Sequence, residues 1–392
     1  MVIGLETIDS YINAFKIKYN YLDKLFNGKL DSSRCNIDTA NIFINFESLY
    51  YSMRSTSMEK KISTLTKKEL KAIYRQSISA FINVAAHYRA YFTRNKIKTN
   101  IVYFYNSIPD EYGGYNNSTL CETYRDHFVE SLNNTNRINC NNWAREIMPL
   151  FKTICEYIEN VYVIECNKKV ESSMIPMVLD MDTSLPSNLN IVITKDLYDF
   201  QYVNLDWLII SKHQTEPVLL TKKNVIKYLC WKNDIDENEA ESTTVSSKLL
   251  PFIISCLGDR KRSIPKLKGV GFKAIYKSLK KLYETGFIFN EDETTFDISN
   301  LISVLNDKTI LYTKNTEMGN LIMRNFKVID LSSQYRILNK AQKNKILEQV
   351  SDKTDIDALI EISNKYFADY PLMLIELSQY KKKPKIEDDL PF

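Results

Sequence analysis

Two apolar patterns alternate along the first 225 residues. Short, nearly continuous runs occur at "NIFINF" (41–46), "NIVYFYN" (100–106), "VYVIEC" (161–166), "LNIVIT" (189–194) and "DWLIIS" (206–211). Runs of that length bounded by polar residues predict buried strands. Between the first two, Leu70, Ile73, Ile78, Phe81, Ile82 and Ala85 recur at helical spacing, and Asn95 with the lysines after it ends the helix. Further helices are expected at 143–158, with a possible kink at Pro149, and around 171–179. Strands alternating with helices imply an α/β fold with a mostly parallel sheet, whose ligands bind beyond the carboxyl ends of the strands. From residue 226 helix dominates. The expected organisation is a helical extension at 1–38, an α/β domain at 39–225, a helical region at 226–380 and a flexible tail at 381–392. A polar stretch at 107–142, rich in Asn, Tyr and Gly, reads as a loop or helical insertion.

Composition narrows the possibilities. The chain has 392 residues, 44% of them hydrophobic, enough to bury a large core. No run is long and apolar enough for a membrane span or a secretory signal, so no membrane association and a cytoplasmic location are expected. Seven scattered cysteines without a Cys-x-x-Cys pair suit reduced thiols, and three distant histidines do not suggest a metal cluster.

Net charge is only +4, yet "RSIPKLKGVGFKAIYKSLKK" (262–281) holds seven basic residues and no acidic one. Phe272, Ile275, Leu279 and Leu282 mark the apolar face of a helix, with Lys273, Lys277, Lys280 and Lys281 elsewhere on its cylinder. Gly269 and Gly271 permit close backbone approach just before the helix N-terminus, where free N–H groups favour a phosphate. A solvated basic helix after an ordinary glycine turn fits the charge pattern equally well.

A longer pattern shifts the balance towards phosphate. "CLGDRKRSIPKLKGVGFKAIYKSLKKL" resembles the helix–three-turn–helix element of the flap endonuclease and 5′–3′ exonuclease family. The residues that carry the resemblance are Gly258–Asp259, Ile264–Pro265, Gly269–Val270–Gly271 and Lys273–Ala274. The resemblance implies a PIN-like, flap-endonuclease-like sheet and a hairpin that grips duplex or junction DNA. Lys266, Lys268, Gly269, Gly271, Lys273 and Lys277 would make the contact, with K+ held by hairpin carbonyls.

That family cleaves phosphodiesters with two divalent cations in a cage of carboxylates, because such ions stay in water unless many anionic oxygens hold them. Here the resemblance breaks. Asn45 stands where the first motif has Asp, with Glu47 two residues on. Tyr105 or Asn106 ends the second strand. Glu171 survives in the third motif, while Ser172, Ser173 and Met174 replace its other residues. Asp196 keeps the fourth motif, with Tyr198 at its second Asp and Asp199 displaced by one. Asp259 keeps the fifth, and Arg262 replaces its second Asp. Glu171, Asp196 and Asp259 would hold at most a single Mg2+ or Mn2+, weakly, and they equally suit ordinary strand-end and cap carboxylates. The segment 107–142 falls where the family has its helical arch.

The last residues, "IEDDLPF", resemble the acidic tip of bacterial single-stranded DNA-binding proteins. Asp388, Asp389, Leu390, Pro391 and Phe392 would dock in a partner's pocket for such tails. The sequence therefore leads to a DNA-binding protein with lost or severely weakened nuclease activity, an accessory or adaptor in replication or recombination and phage-encoded. The alternatives are an active metal-dependent nuclease that rebuilds its cage from Glu47, Asp180, Asp182 or Asp199, and an interaction scaffold that binds no DNA.

Overall fold

The structure is a computed structural model that describes residues 37–52, 62–106, 135–156, 158–166, 170–182, 185–213, 216–259, 262, 264–284, 301–302 and 316–350. Most of the extension (1–36), most of the insertion (107–134), the end of the helical region (351–380) and the tail at 381–392 lie outside them.

Six strands form one sheet in the order β3-β2-β1-β4-β5-β6. They are β1 (Thr39–Asn45), β2 (Lys98–Asn106), β3 (Val161–Cys166), β4 (Leu189–Ile193), β5 (Leu208–His213) and β6 (Glu216–Leu220). The first five run parallel, and β6 turns back antiparallel on β5. β6 has no counterpart among the apolar runs of the sequence. Its "EPVLL" is short and has Pro217 as its second residue, tolerated at a sheet edge, where a missing N–H costs no ladder bond.

Both faces of the sheet are covered, which is why its strands read as apolar runs rather than alternations. Ile42, Ile44, Ile101, Tyr103, Ile191 and Ile193 point into one core. That core is shared with α1 (Phe46–Ser52), α2 (Lys67–Arg94) and α3 (Thr135–Cys155). The intervening residues Phe43, Val102, Phe104 and Val192 point into the other core, which continues without a break through Leu282, Ile322 and Ile346. Helix α2 starts at a capping box: Thr66 N–H donates to Glu69 Oε2 at 2.8 Å while Thr66 Oγ1 accepts from Glu69 N–H. Asn95 caps its end. Residues 135–142 already belong to α3, so the helix starts eight residues before the apolar pattern does; an Asn-rich turn carries no apolar stripe to betray it.

Buried amides pin the register. Asn41 lies opposite Asn100 on β2, whose Nδ2 donates to Asn41 Oδ1 at 2.8 Å, and Asn41 Nδ2 donates to the Leu185 carbonyl at 2.6 Å. A one-residue slip would break both bonds inside the core.

The second core is finished by α4 (Ile175–Met181), α5 (Val225–Lys232), α6 (Glu237–Glu241), α7 (Leu250–Leu257), α8 (Phe272–Glu284), α9 (Thr316–Ile329), α10 (Leu331–Ile337) and α11 (Lys340–Leu347). Just past α11, Gln349 closes the free edge of β3. Its Oε1 accepts the Glu165 N–H at 3.0 Å, and its Nε2 donates to the Glu165 carbonyl at 3.0 Å. One side-chain amide thus stands in for a neighbouring strand's peptide group. Among the described residues no helix is long and apolar enough to cross a membrane.

Candidate nucleic-acid interface and carboxylate cluster

Strand order reverses between β1 and β4, and the polar residues gather above that switch point, where α/β sheets bind their ligands. Asn45 ends β1 and Asn106 ends β2. Glu171 precedes a 3-10 turn (Ser172–Met174), and Asp196 caps a longer 3-10 segment (Leu197–Leu205), accepting the Tyr198 N–H at 3.1 Å.

Asp259 and Arg262 arrive from the turn after α7. Gly258 ends that helix at φ +67, and a Cβ there would lie 2.6 Å from both the Ile264 carbonyl oxygen and the Lys266 nitrogen. Only glycine fits. Beyond it, Asp259 and Ile264 exchange two backbone hydrogen bonds of 2.9 Å, closing a tight hairpin that aims Arg262 inward.

The guanidinium lands among the three carboxylates that the sequence singled out. Arg262 Nη2 lies 3.0 Å from Glu171 Oε1 and 2.9 Å from Asp196 Oδ2, and Nη1 bonds Asp259. The Arg262 side chain is 1% exposed, against 2%, 10% and 15% for those of Glu171, Asp196 and Asp259. Beside it lies the Tyr198 ring, its centroid 4.2 Å from the guanidinium carbon, so the position that replaces a carboxylate ligand carries a cation–π contact. The Tyr198 hydroxyl donates to the Val328 carbonyl, fixing the ring from α9.

The two asparagines are committed as donors. Asn106 Nδ2 donates to Glu171 Oε1 at 3.1 Å, and its Oδ1 accepts the Ser172 N–H at 2.9 Å. Asn45 Oδ1 accepts the Ser48 N–H at the start of α1, while its Nδ2 donates to Asp199 Oδ2 at 2.7 Å. Asp199 is wholly buried and also accepts from Thr194 Oγ1 at 2.6 Å and from Ser173 Oγ. Burial and the nearby Asp196 charge push its carboxyl up to about 6, against the hydrogen bonds from Ser173 and Thr194 and the pull of Arg262. In the motif's spacing Tyr198 takes this position and Asp199 stands one residue out of place. The 3-10 winding puts both side chains to use at the cluster. Of the other displaced carboxylates, Glu47 lies within 3.4 Å of Asn106. Asp180 accepts from Asn190, and Asp182 pairs with Lys343 on α11.

A pair of divalent cations does not fit these residues. Such ions need a dense set of unshared anionic oxygens. Here each of the three converging carboxylates already faces a guanidinium, and two strand ends offer amide donors. Among the described residues no group of three His, Cys, Asp or Glu side chains is disposed to hold a metal ion.

Next to the cluster lies the glycine hairpin. Ile264 and Leu267 are buried, and the Leu267 N–H donates to the Cys256 carbonyl at 2.9 Å, which fastens the hairpin to α7. Asn325 on α9 holds it from the other side, donating to the Ser255 and Pro265 carbonyls at 2.9 and 2.7 Å. Gly269 adopts φ +76 in a turn closed by the Val270 N–H on the Leu267 carbonyl. Added Cβ atoms at Gly269 and Gly271 would meet nothing within 4 Å, so these glycines leave open space in front of the first N–H groups of α8. Phe272, Ile275, Leu279 and Leu282 are buried as the periodicity demanded. Lys266, Lys268, Lys273, Lys277 and Lys281 are exposed, whereas Lys280 pairs with Glu239.

No protein-family model matches the sequence, and no curated protein matches it significantly. Solved structures do. An aspartate-to-lysine variant of bacteriophage T5 flap endonuclease, described as a pseudo-enzyme–product complex with DNA and metal ions, superposes with a TM-score of 0.52 at 11% identity, covering 83% of this chain and 99% of that one. The T5 5′-exonuclease with bound zinc ions gives 0.50 at 12% identity over the same shares. The T5 protein co-crystallized with metal ions gives 0.50 at 11%. The chain therefore has a flap-endonuclease-like fold, with a mostly parallel sheet flanked by helices and an arginine among its strand-end carboxylates.

Proposed function

We propose that the chain binds duplex or junction DNA through the glycine hairpin and the exposed lysines of α8, and that its nuclease activity is lost or severely weakened. Phosphate oxygens would sit before the N-terminus of α8, in the open space that Gly269 and Gly271 leave, with Lys266, Lys268, Lys273 and Lys277 neutralising neighbouring phosphates. The observation that carries the proposal is Arg262. In-line phosphodiester hydrolysis of this kind relies on two metal ions to generate the nucleophile and to stabilise the leaving oxygen. The guanidinium takes the space among Glu171, Asp196 and Asp259, and it neither activates water nor opens a coordination site.

Binding without cutting suits an accessory or adaptor in replication or recombination, and the same proposal makes the chain phage-encoded. The hairpin's turn carbonyls are hard oxygen donors suited to K+, and a K+-over-Na+ preference in DNA affinity is the corresponding test. The terminal residues Asp388 to Phe392 would recruit a partner with a pocket for tails of single-stranded DNA-binding proteins. Removing Leu390, Pro391 and Phe392 is then expected to leave DNA binding intact and abolish that recruitment.

Convergence of Glu171, Asp196 and Asp259, with Asp199 beside them, favours one alternative, a nuclease in which Arg262 swings out and metal enters. Calorimetric titration of the full chain with Mg2+ and Mn2+ separates the two. Absence of binding at millimolar metal, together with DNA affinity that falls with salt at a log–log slope of about −0.9 per phosphate neutralised, supports binding without cleavage. Tight uptake of two ions supports the nuclease, and salt-insensitive or absent DNA binding refutes the DNA-binding proposal.

A further inference from the structure

Arg262 joins three chain segments of the cluster. Glu171 follows β3, Asp196 follows β4, and Asp259 opens the hairpin that leads into the lysine-bearing stretch. The described residues of that hairpin are fastened at three points. A two-bond bridge closes it at Asp259 and Ile264, backbone packs against Gly258, and the Leu267 N–H ties it to α7. A force on the Arg262 side chain therefore acts on the hairpin as a whole. Three carboxylates this close, two of them on other segments, would repel one another and release the hairpin without a cation between them. In this chain the cation is covalently part of the hairpin.

We propose that the Arg262 guanidinium is a built-in counter-ion that fastens the DNA-facing hairpin to the strand ends in the place where divalent cations would otherwise be required, making hairpin docking and DNA affinity independent of Mg2+ and Mn2+. Arg262 is thus a positioning residue. Its side chain is 1% exposed, yet the placement of Lys266, Lys268 and the α8 N-terminus depends on it. The DNA half of this proposal rests on the function proposed above; the docking half stands without it.

The test compares the full chain with Arg262→Met, a side chain of similar length without charge. Melting is followed in EDTA and in Mn2+ at matched ionic strength, and Mn2+ binding is read by electron paramagnetic resonance. The wild type is expected to melt at the same temperature in both media and to take up no Mn2+. Arg262→Met is expected to melt about 5–10 °C lower in EDTA, to bind Mn2+ and to regain part of the loss. If Arg262→Met does not fold, Arg262→Gln, which keeps two donors, goes through the same titration. An unchanged melting temperature in the variant overturns the proposal. So does a loss that Mn2+ never restores, a failure of both variants to fold with or without metal, or a wild type stabilised by Mn2+. In parallel, wild-type affinity for a nicked duplex is expected to agree within about twofold between EDTA and Mg2+ at constant ionic strength, and a strict Mg2+ requirement overturns the claim. Absence of any DNA binding refutes the DNA-binding proposal while leaving the melting comparison to decide the docking.

Discussion

Arg262 and Glu171 face each other across 3.0 Å with both side chains at most 2% exposed, a buried ion pair at the place where this fold gathers its carboxylates. Desolvating both groups is costly. The pair stands because Asp196, Asp259 and the Tyr198 ring also contact the guanidinium while Asn106 donates to Glu171. Breaking such a pair from one side is far more disruptive than its net worth, because it leaves an uncompensated buried charge.

The three glycines of the hairpin separate by mechanism. At Gly258 a methyl group would strike backbone at 2.6 Å and φ is positive, so Gly258→Ala is expected to destabilise the fold by more than about 2 kcal/mol. At Gly269 only the backbone conformation opposes a side chain, at roughly 1–2 kcal/mol. At Gly271 neither applies, so Gly271→Ala should leave stability within about 0.5 kcal/mol while its methyl group intrudes where a phosphate backbone would approach. Chemical denaturation beside DNA titration checks all three; a Gly271→Ala variant that binds DNA unchanged contradicts the proposed mode of binding.

Reversing charge at Lys273 and Lys277 together tests the lysine face. Both side chains are exposed on α8 and make no part of its buried stripe, so the double Glu variant should melt like the wild type. Its DNA affinity should fall, and the salt slope should become shallower by about 0.9 for each phosphate that is no longer neutralised. An unaltered slope would place the DNA elsewhere.

Asp199 links the cluster to pH. Its carboxyl is raised from 3.8 to about 6, so the folded chain holds a proton there that the unfolded chain releases earlier. Stability from this group is therefore full below about pH 4, declines as pH rises towards 6, and stays lower above. Asp196 and Arg262 are the charged neighbours, pulling in opposite directions. Asp199→Asn keeps an acceptor for Asn45 and Thr194 and presents an amide that Ser173 can accept, without a buried charge. The variant should gain on the wild type across that window, by on the order of 3 kcal/mol at neutral pH. Denaturation midpoints at pH 4 and pH 7.5 measure the difference, and an equal offset at both contradicts the assignment.

Gln349 offers a test at the β3 edge that needs no DNA. Gln349→Ala removes the amide that pairs with both backbone groups of Glu165 and accepts from Lys152 Nζ at 2.8 Å. A loss of about 1–3 kcal/mol and faster exchange of the Glu165 amide are expected. Unchanged exchange would show that the β3 edge does not need this cap.

Much of this was legible in the chain. Each parallel strand announced itself as an apolar run because both sheet faces are covered, and the α8 stripe followed from spacing alone. Glu171, Asp196 and Asp259 were picked out by motif position, and they do meet. The partner they share was harder to see. Arg262 stood out as a cation in a ligand's place, but that one guanidinium reaches three carboxylates from separate segments depends on the Asp259–Ile264 bridge, which is tertiary geometry. Asn45 looked like a lost ligand, yet it is a donor matched to Asp199, and the one-residue displacement of Asp199 hid the match. β6 escaped because five residues beginning Glu-Pro carry little periodicity, and the first turns of α3 because they are polar.

The most direct measurement follows anisotropy and strand integrity together in one sample, with a fluorescent 5′-flap duplex at saturating protein in Mn2+. Binding without cleavage gives high anisotropy and an intact strand over hours. A strand that is cut by the wild type and spared by Asp196→Ala, or anisotropy that never rises, would contradict the account.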